Sequence, residues 1–186
     1  MKKTIVILAA LISVCLSGCA SIATESAATV AATCTVAHDD FLKFTCVRSG
    51  EATFASDDIG GGGAFSYFFR ADRKDGSEQI VYMIGVDSLR SNWAFWTNAI
   101  DLSGKRFTLD EATREVMTGP GTPSVWEVSY ATVDRSYLEA IAEKGGTWRV
   151  YAEHGGAQFS FAPQAVLGFL SRCDQVFGNP DTAKKL

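Results

Sequence analysis

The chain reads as an α+β domain, an antiparallel β-sheet of about six or seven strands with two helices on one face. Three observations lead there. From about residue 40 onward, short apolar runs are separated by turn residues, the texture of a sheet whose strands are joined by hairpins. Near the carboxyl end, Val166, Phe169, Leu170, Cys173 and Phe177 recur at i, i+3, i+4, i+7 and i+11, a helical stripe that needs an apolar partner. All 21 aromatic residues, 12 Phe, 4 Trp and 5 Tyr, lie beyond residue 40, so the material of the core lies there too. Helices laid on one face of a sheet bury both apolar surfaces in two layers.

Residues 1–18 have the composition of an export signal, with Lys2 and Lys3 ahead of an apolar run from Thr4 to Val14. A run of about eleven apolar residues suits a signal-peptide core and is too short for a retained membrane helix. Leu16-Ser17-Gly18-Cys19 closes the segment. These four residues resemble the lipobox of bacterial lipoproteins, whose cysteine is diacylglycerylated, exposed by cleavage and N-acylated. The resemblance covers about the first 20 residues. It implies palmitate-type chains on Cys19 and a lipid anchor in the cell envelope. With Ala20 rather than Asp after the cysteine, it implies the outer membrane, facing the periplasm. The membrane is then one partner, and each acyl chain contributes about 0.8 kcal/mol per buried CH₂.

Residues 19–37, rich in Ala, Thr and Ser, read as the lipidated cysteine and a tether. The folded domain is expected over 38–178 and a short tail over 179–186. Strands are expected at 41–47, 64–72, 79–86, 93–101, 125–133, 147–153 and 157–161, with Asp75-Gly76 and His154-Gly155-Gly156 as hairpin turns. Between 106 and 116 two patterns compete: Thr108 with Glu111 matches a capping box, whereas Phe107 and Leu109 alternate as in a strand. A helix follows Asp134, with Leu138, Ile141 and Ala142 at helical spacing and Gly145-Gly146 as the stop. The last helix begins at Pro163, a favoured first-turn residue. The order helix, hairpin, helix loosely resembles small periplasmic proteins of the invasion-associated locus B type, a likeness of pattern that carries no function across.

Without Lys2 and Lys3, 15 basic residues face 21 acidic ones, a balance of −6. No basic run is long enough to neutralise several phosphates, which excludes nucleic acid as an expected partner. Gly60 to Gly63 is followed by no Lys-Ser/Thr pair and reads as a surface loop rather than a phosphate cradle. A Gly-x-Ser-x-Gly elbow is absent. His38 and His154 fall before a strand and in a turn. The carboxylate pairs Asp39-Asp40, Asp57-Asp58 and Asp110-Glu111 are sequence neighbours, which does not place two carboxyls across a cleft as glycosidases require. No catalytic residue, cofactor or metal site is expected.

Once Cys15 leaves with the leader and Cys19 takes lipid, Cys34, Cys46 and Cys173 remain. An oxidising compartment favours one disulfide among them. Leu42, Phe44 and Cys46 share one face of a strand and Cys173 belongs to the helical stripe, so both thiols are expected to point inward and pair. Cys34 with Cys46 is the alternative.

Binding candidates come from strand alternation. Trp96 falls with Asn92, Ala94 and Asn98, Phe68 between Ser66 and Arg70, and Tyr151 between Arg149 and Glu153. Aromatic rings on a polar sheet face suit a recognition surface. The leading expectation is a non-catalytic envelope lipoprotein whose domain binds a protein partner or supports an envelope assembly. Phe44-Thr45-Cys46 resembles the corresponding stretch of small lysozyme-inhibitor lipoproteins, which implies a tethered inhibitor of a basic wall hydrolase as an alternative. An enzyme of unknown reaction type is the third class.

Overall fold

The computed structural model describes residues 21–54, 63–118, 123–153 and 155–178. The elements are α1 (Ala27–Thr33), β1 (Thr35–Asp39), β2 (Phe44–Arg48), β3 (Ala52–Phe54), β4 (Gly63–Lys74), β5 (Ile80–Arg90), β6 (Trp96–Asp101) and β7 (Arg106–Thr108). They continue with β8 (Asp110–Met117), β9 (Ser124–Val133), α2 (Arg135–Lys144), β10 (Gly146–Ala152), β11 (Gly155–Phe161) and α3 (Pro163–Phe177). The fold is α+β, as the sequence predicts, with the strands divided between two antiparallel sheets.

The larger sheet has the order β1-β2-β4-β5-β9-β8. β3 also pairs with β4, beyond the end of β2. Ser49 spans the gap between them: its N–H donates to Phe69 O and its hydroxyl accepts from Phe69 N–H, each at 2.9 Å. The smaller sheet has the order β11-β10-β6-β7. Phe65, Tyr67, Phe69 and Ala71 of β4 are buried in the core, where alternation along one long strand puts them on one face. Phe69 packs 5.5 Å from Phe169 of α3 and 5.9 Å from Phe161 of β11. Tyr67 stacks on Phe159 of β11 at 4.9 Å. Both sheets and α3 thus share one aromatic core.

The two expected helices are present. All five stripe residues of α3 are buried, Pro163 opens the helix and Gly178 follows it at φ +81. Arg135 at the start of α2 grips Asp174 of α3 through two hydrogen bonds of 2.6 and 3.0 Å, the bidentate geometry that makes such pairs strong.

Several expectations are corrected. The tether over 19–37 does not hold across the described residues. Ile22 and Val30 are buried, residues 27–33 form α1 capped by the Ser26 hydroxyl, and Thr35–Asp39 adds a strand to the sheet edge. Gly168 lets α1 approach α3 closely, since a Cβ there would stand 2.4 Å from Ala27 O. Among the described residues three helices therefore replace the expected two.

The strand expected at 41–47 is a hairpin tip followed by β2. Asp39 Oδ1 accepts the N–H groups of Phe41 and Leu42, each at 2.8 Å, and Lys43 turns the chain at φ 55. The tip shifts the facing argument: Val47 points inward, while Cys46 lies on the opposite face in register with Asp72. Cys173 sits in the apolar stripe of α3, inside. Cys46 and Cys173 therefore face away from each other, and Cys34, Cys46 and Cys173 are free thiols.

Of the two patterns that compete over residues 106–116, the structure takes the strand, in β7 and β8. The strand expected at 93–101 starts only at Trp96, after Phe95 at φ 56.

Candidate functional site

The outer face of the larger sheet carries polar and aromatic side chains in register. The strand register places Ser66, Phe68, Arg70 and Asp72 of β4 on it, beside Gly85, Asp87 and Leu89 of β5 and Trp126, Val128 and Tyr130 of β9. At one end these side chains enclose a groove of about 410 Å³, whose lining includes Glu51, Ser66, Asp87, Leu89, Met117 and Trp126. Asp87 is the register partner of Ser66, and Leu89 that of Trp126, so the floor is polar along one line and apolar along the next.

Hydrogen bonds fix the polar groups. The Trp126 indole N–H donates to Asp87 Oδ1 at 2.9 Å. The Ser66 hydroxyl donates to Glu51 Oε2 at 3.0 Å, and Arg48 Nη2 donates to Glu51 Oε1 at 2.7 Å. Burial lifts the Asp87 carboxyl above its ordinary value; the Trp126 indole and Arg48 oppose the shift and the nearby Glu51 charge adds to it. The site therefore presents two carboxyls among an indole, a leucine and a methionine. Among the described residues no group of three or more His, Cys, Asp or Glu is placed to hold a metal ion.

The three aromatics expected to form the recognition surface are dispersed. Trp96 is core, 3% exposed, with its indole N–H on Ser88 Oγ at 3.3 Å. A bulge explains the misplacement. Asn98 pairs with Tyr151 but Trp96 with Ala152, which leaves Thr97 unpaired and shifts the phase of the alternation. Phe68 does lie on the outer face, yet it is only 1% exposed, because Gly85 offers it a bare floor and Arg48 lies 3.9 Å above the ring. Tyr151 is half-buried on the outer side of the other sheet, with the Arg149 guanidinium 5.7 Å above its ring. The three rings form no common patch.

Other sequence features have local roles. His38 contacts the Thr45 hydroxyl at 3.1 Å and Asp40 at 3.3 Å near the β1–β2 tip. Asp39 caps that turn, and Glu111 pairs with Arg114 at 2.6 Å. Cys19 with its lipobox, Asp57-Asp58, Gly60 to Gly62 and His154 lie outside the described residues.

Two groups went unread in the sequence. Glu127 is buried, and its Oε2 accepts the N–H groups of Ala94 and Phe95 while Oε1 accepts that of Trp96, at 3.0 to 3.1 Å. Arg114 adds a contact of 3.3 Å. A carboxylate so fully engaged holds the entry to β6. The groove is the other. Its residues are scattered from position 51 to 126, and the signal available was Asp87 inside the apolar run Ile84-Gly85-Val86-Asp87-Ser88-Leu89, a charge where a strand of this kind has little reason to hold one.

Comparison with family models, with curated proteins and with solved structures finds no match to this chain. Among the described residues no helix is long and apolar enough to cross a membrane.

Proposed function

We propose that this chain is a non-catalytic lipoprotein of the bacterial cell envelope, anchored through lipid on Cys19 in the outer membrane, whose domain captures a protein partner on the outer face of the larger sheet. The observation that carries the binding part is the Asp87–Trp126 groove. It combines an exposed apolar rim, Leu89 and Met117, with a polar floor, and aromatic and methionine side chains are enriched at interface centres. The anchor rests on Leu16-Ser17-Gly18-Cys19 and the apolar run before it.

A photo-reactive residue at Leu89 tests the surface. Cross-linking in intact envelopes should give one discrete protein adduct, and the same residue at Leu102, exposed between β6 and β7, should not. Adducts from neither position, or the same adduct from both, would contradict the assignment. Cys19→Ser should abolish palmitate labelling and leave precursor; normal labelling would remove the anchor. The groove carboxyls also favour a second reading, a lipid-tethered inhibitor of a basic cell-wall hydrolase such as lysozyme, which an inhibition assay separates from the first.

A further inference from the structure

We propose that the Asp87–Trp126 groove receives a basic side chain, a lysine ammonium or arginine guanidinium, presented by the protein partner. This rests on the outer face being the capture surface. Two carboxyls face the groove, and their cations are unequal. Glu51 is paired with Arg48 at 2.7 Å, whereas among the described residues Asp87 has no cation within salt-bridge distance. Its Oδ1 takes the Trp126 N–H, and Oδ2 takes no hydrogen bond from the described residues.

A partly desolvated carboxylate with one oxygen uncommitted is costly to keep charged beside apolar groups. An incoming cation removes that cost and forms a charge-assisted hydrogen bond. The neighbouring groups suit the rest of such a side chain. The methylene stem of lysine or arginine can lie along Leu89 and Met117, as long cationic side chains do on apolar surface, while the Trp126 ring offers a face for a cation–π contact. An anionic occupant would meet two carboxyls, and a purely apolar one would strand Asp87.

The experiment uses the protein labelled with ¹⁵N-tryptophan and follows the Trp126 indole resonance. The probes are acetylated, amidated pentapeptides Ala-Ala-X-Ala-Ala with X as lysine, arginine, norleucine or glutamate, and butylammonium alone. Lysine and arginine peptides should shift the resonance saturably, and salt should weaken the effect. Asp87→Asn, which keeps an oxygen to accept the indole N–H, should weaken binding about tenfold, the range expected for losing a charged hydrogen-bond partner. Glu51→Gln should weaken it less, since Arg48 already offsets that charge.

Equal shifts with norleucine would make the groove merely apolar. Butylammonium binding as tightly as the lysine peptide would make the ligand a free amine. Silence from all probes would remove the site. Each of these outcomes overturns the proposal, and a Leu89 adduct that survives any of them leaves the capture surface standing without the basic side chain.

Discussion

Phe68 lies across the bare backbone of Gly85, its register partner on the next strand, so closely that a Cβ at position 85 would stand 2.3 Å from Phe68 Cζ. Tyr130, on the far side of Gly85, meets the ring edge-on at 5.6 Å, and Arg48 closes it from above. A ring that alternation places on a polar face is thereby buried. Gly85→Ala should force the ring off its seat and cost about 1–3 kcal/mol, and Phe68→Ala should cost about 3–5 kcal/mol. Urea unfolding measures both. A Gly85→Ala protein as stable as the parent would show that the ring has another place to go.

Glu127 ties the larger sheet to the start of β6. Glu127→Ala leaves three backbone N–H groups without their acceptor and Arg114 with Glu111 alone, and a loss of about 3–5 kcal/mol is expected for removing one side of a buried charged network. Amide exchange localises the effect: the Ala94, Phe95 and Trp96 amides should lose protection first. Unchanged protection there would mean that Phe95 holds φ 56 without help from the carboxylate.

The thiols should be slow to react. Burial pushes Cys34 and Cys46 up to about 11, with Arg172 and Arg70 respectively as opposing influences, and raises Cys173 further. The thiolate is the reactive species, so iodoacetamide at pH 8 should label the native protein far more slowly than a free cysteine, with half-buried Cys46 ahead of Cys34 and Cys173. Peptide mapping without reductant should yield no Cys46–Cys173 linkage. Finding one would overturn the placement of Cys46 on the outer face.

Asp87 also makes a pH prediction. Its folded value is raised, chiefly by burial, so the stability linked to it is fully present below the unfolded carboxylate value of about 3.9 and is lost as pH rises through the folded value. Asp87→Asn does not titrate. The melting temperature of the variant relative to the parent should therefore climb across that window and level off above it. A difference that falls with rising pH would have the wrong sign for a desolvated carboxyl.

Much of the fold was legible because local chemistry and packing agree. The stripe from Val166 to Phe177 has one helical period and one apolar partner, and Gly145 and Gly178 stop their helices at positive φ. Asp75-Gly76 turns β4 into β5, with Gly76 at φ 73. What failed depended on events outside the local pattern. The phase of Trp96 turns on one residue without a partner on β10, Thr97, and the burial of Phe68 depends on a glycine floor 17 positions away and on Arg48 above the ring. α1 has few large apolar residues, and its burial comes from Gly168 on a distant helix. The groove draws on five strands or their flanks, so no segment of sequence contains it.

The most direct measurement compares capture of the envelope partner by the parent, Trp126→Ala and Trp96→Ala, each with its urea midpoint. Trp126 lines the groove and Trp96 fills the core. Trp96→Ala should lose about 3–5 kcal/mol of stability. Trp126→Ala should stay folded with a loss near 1 kcal/mol, yet bind about thirtyfold more weakly, the equivalent of roughly 2 kcal/mol at an interface centre. Full capture by a folded Trp126→Ala protein would contradict the outer-face groove as the binding surface.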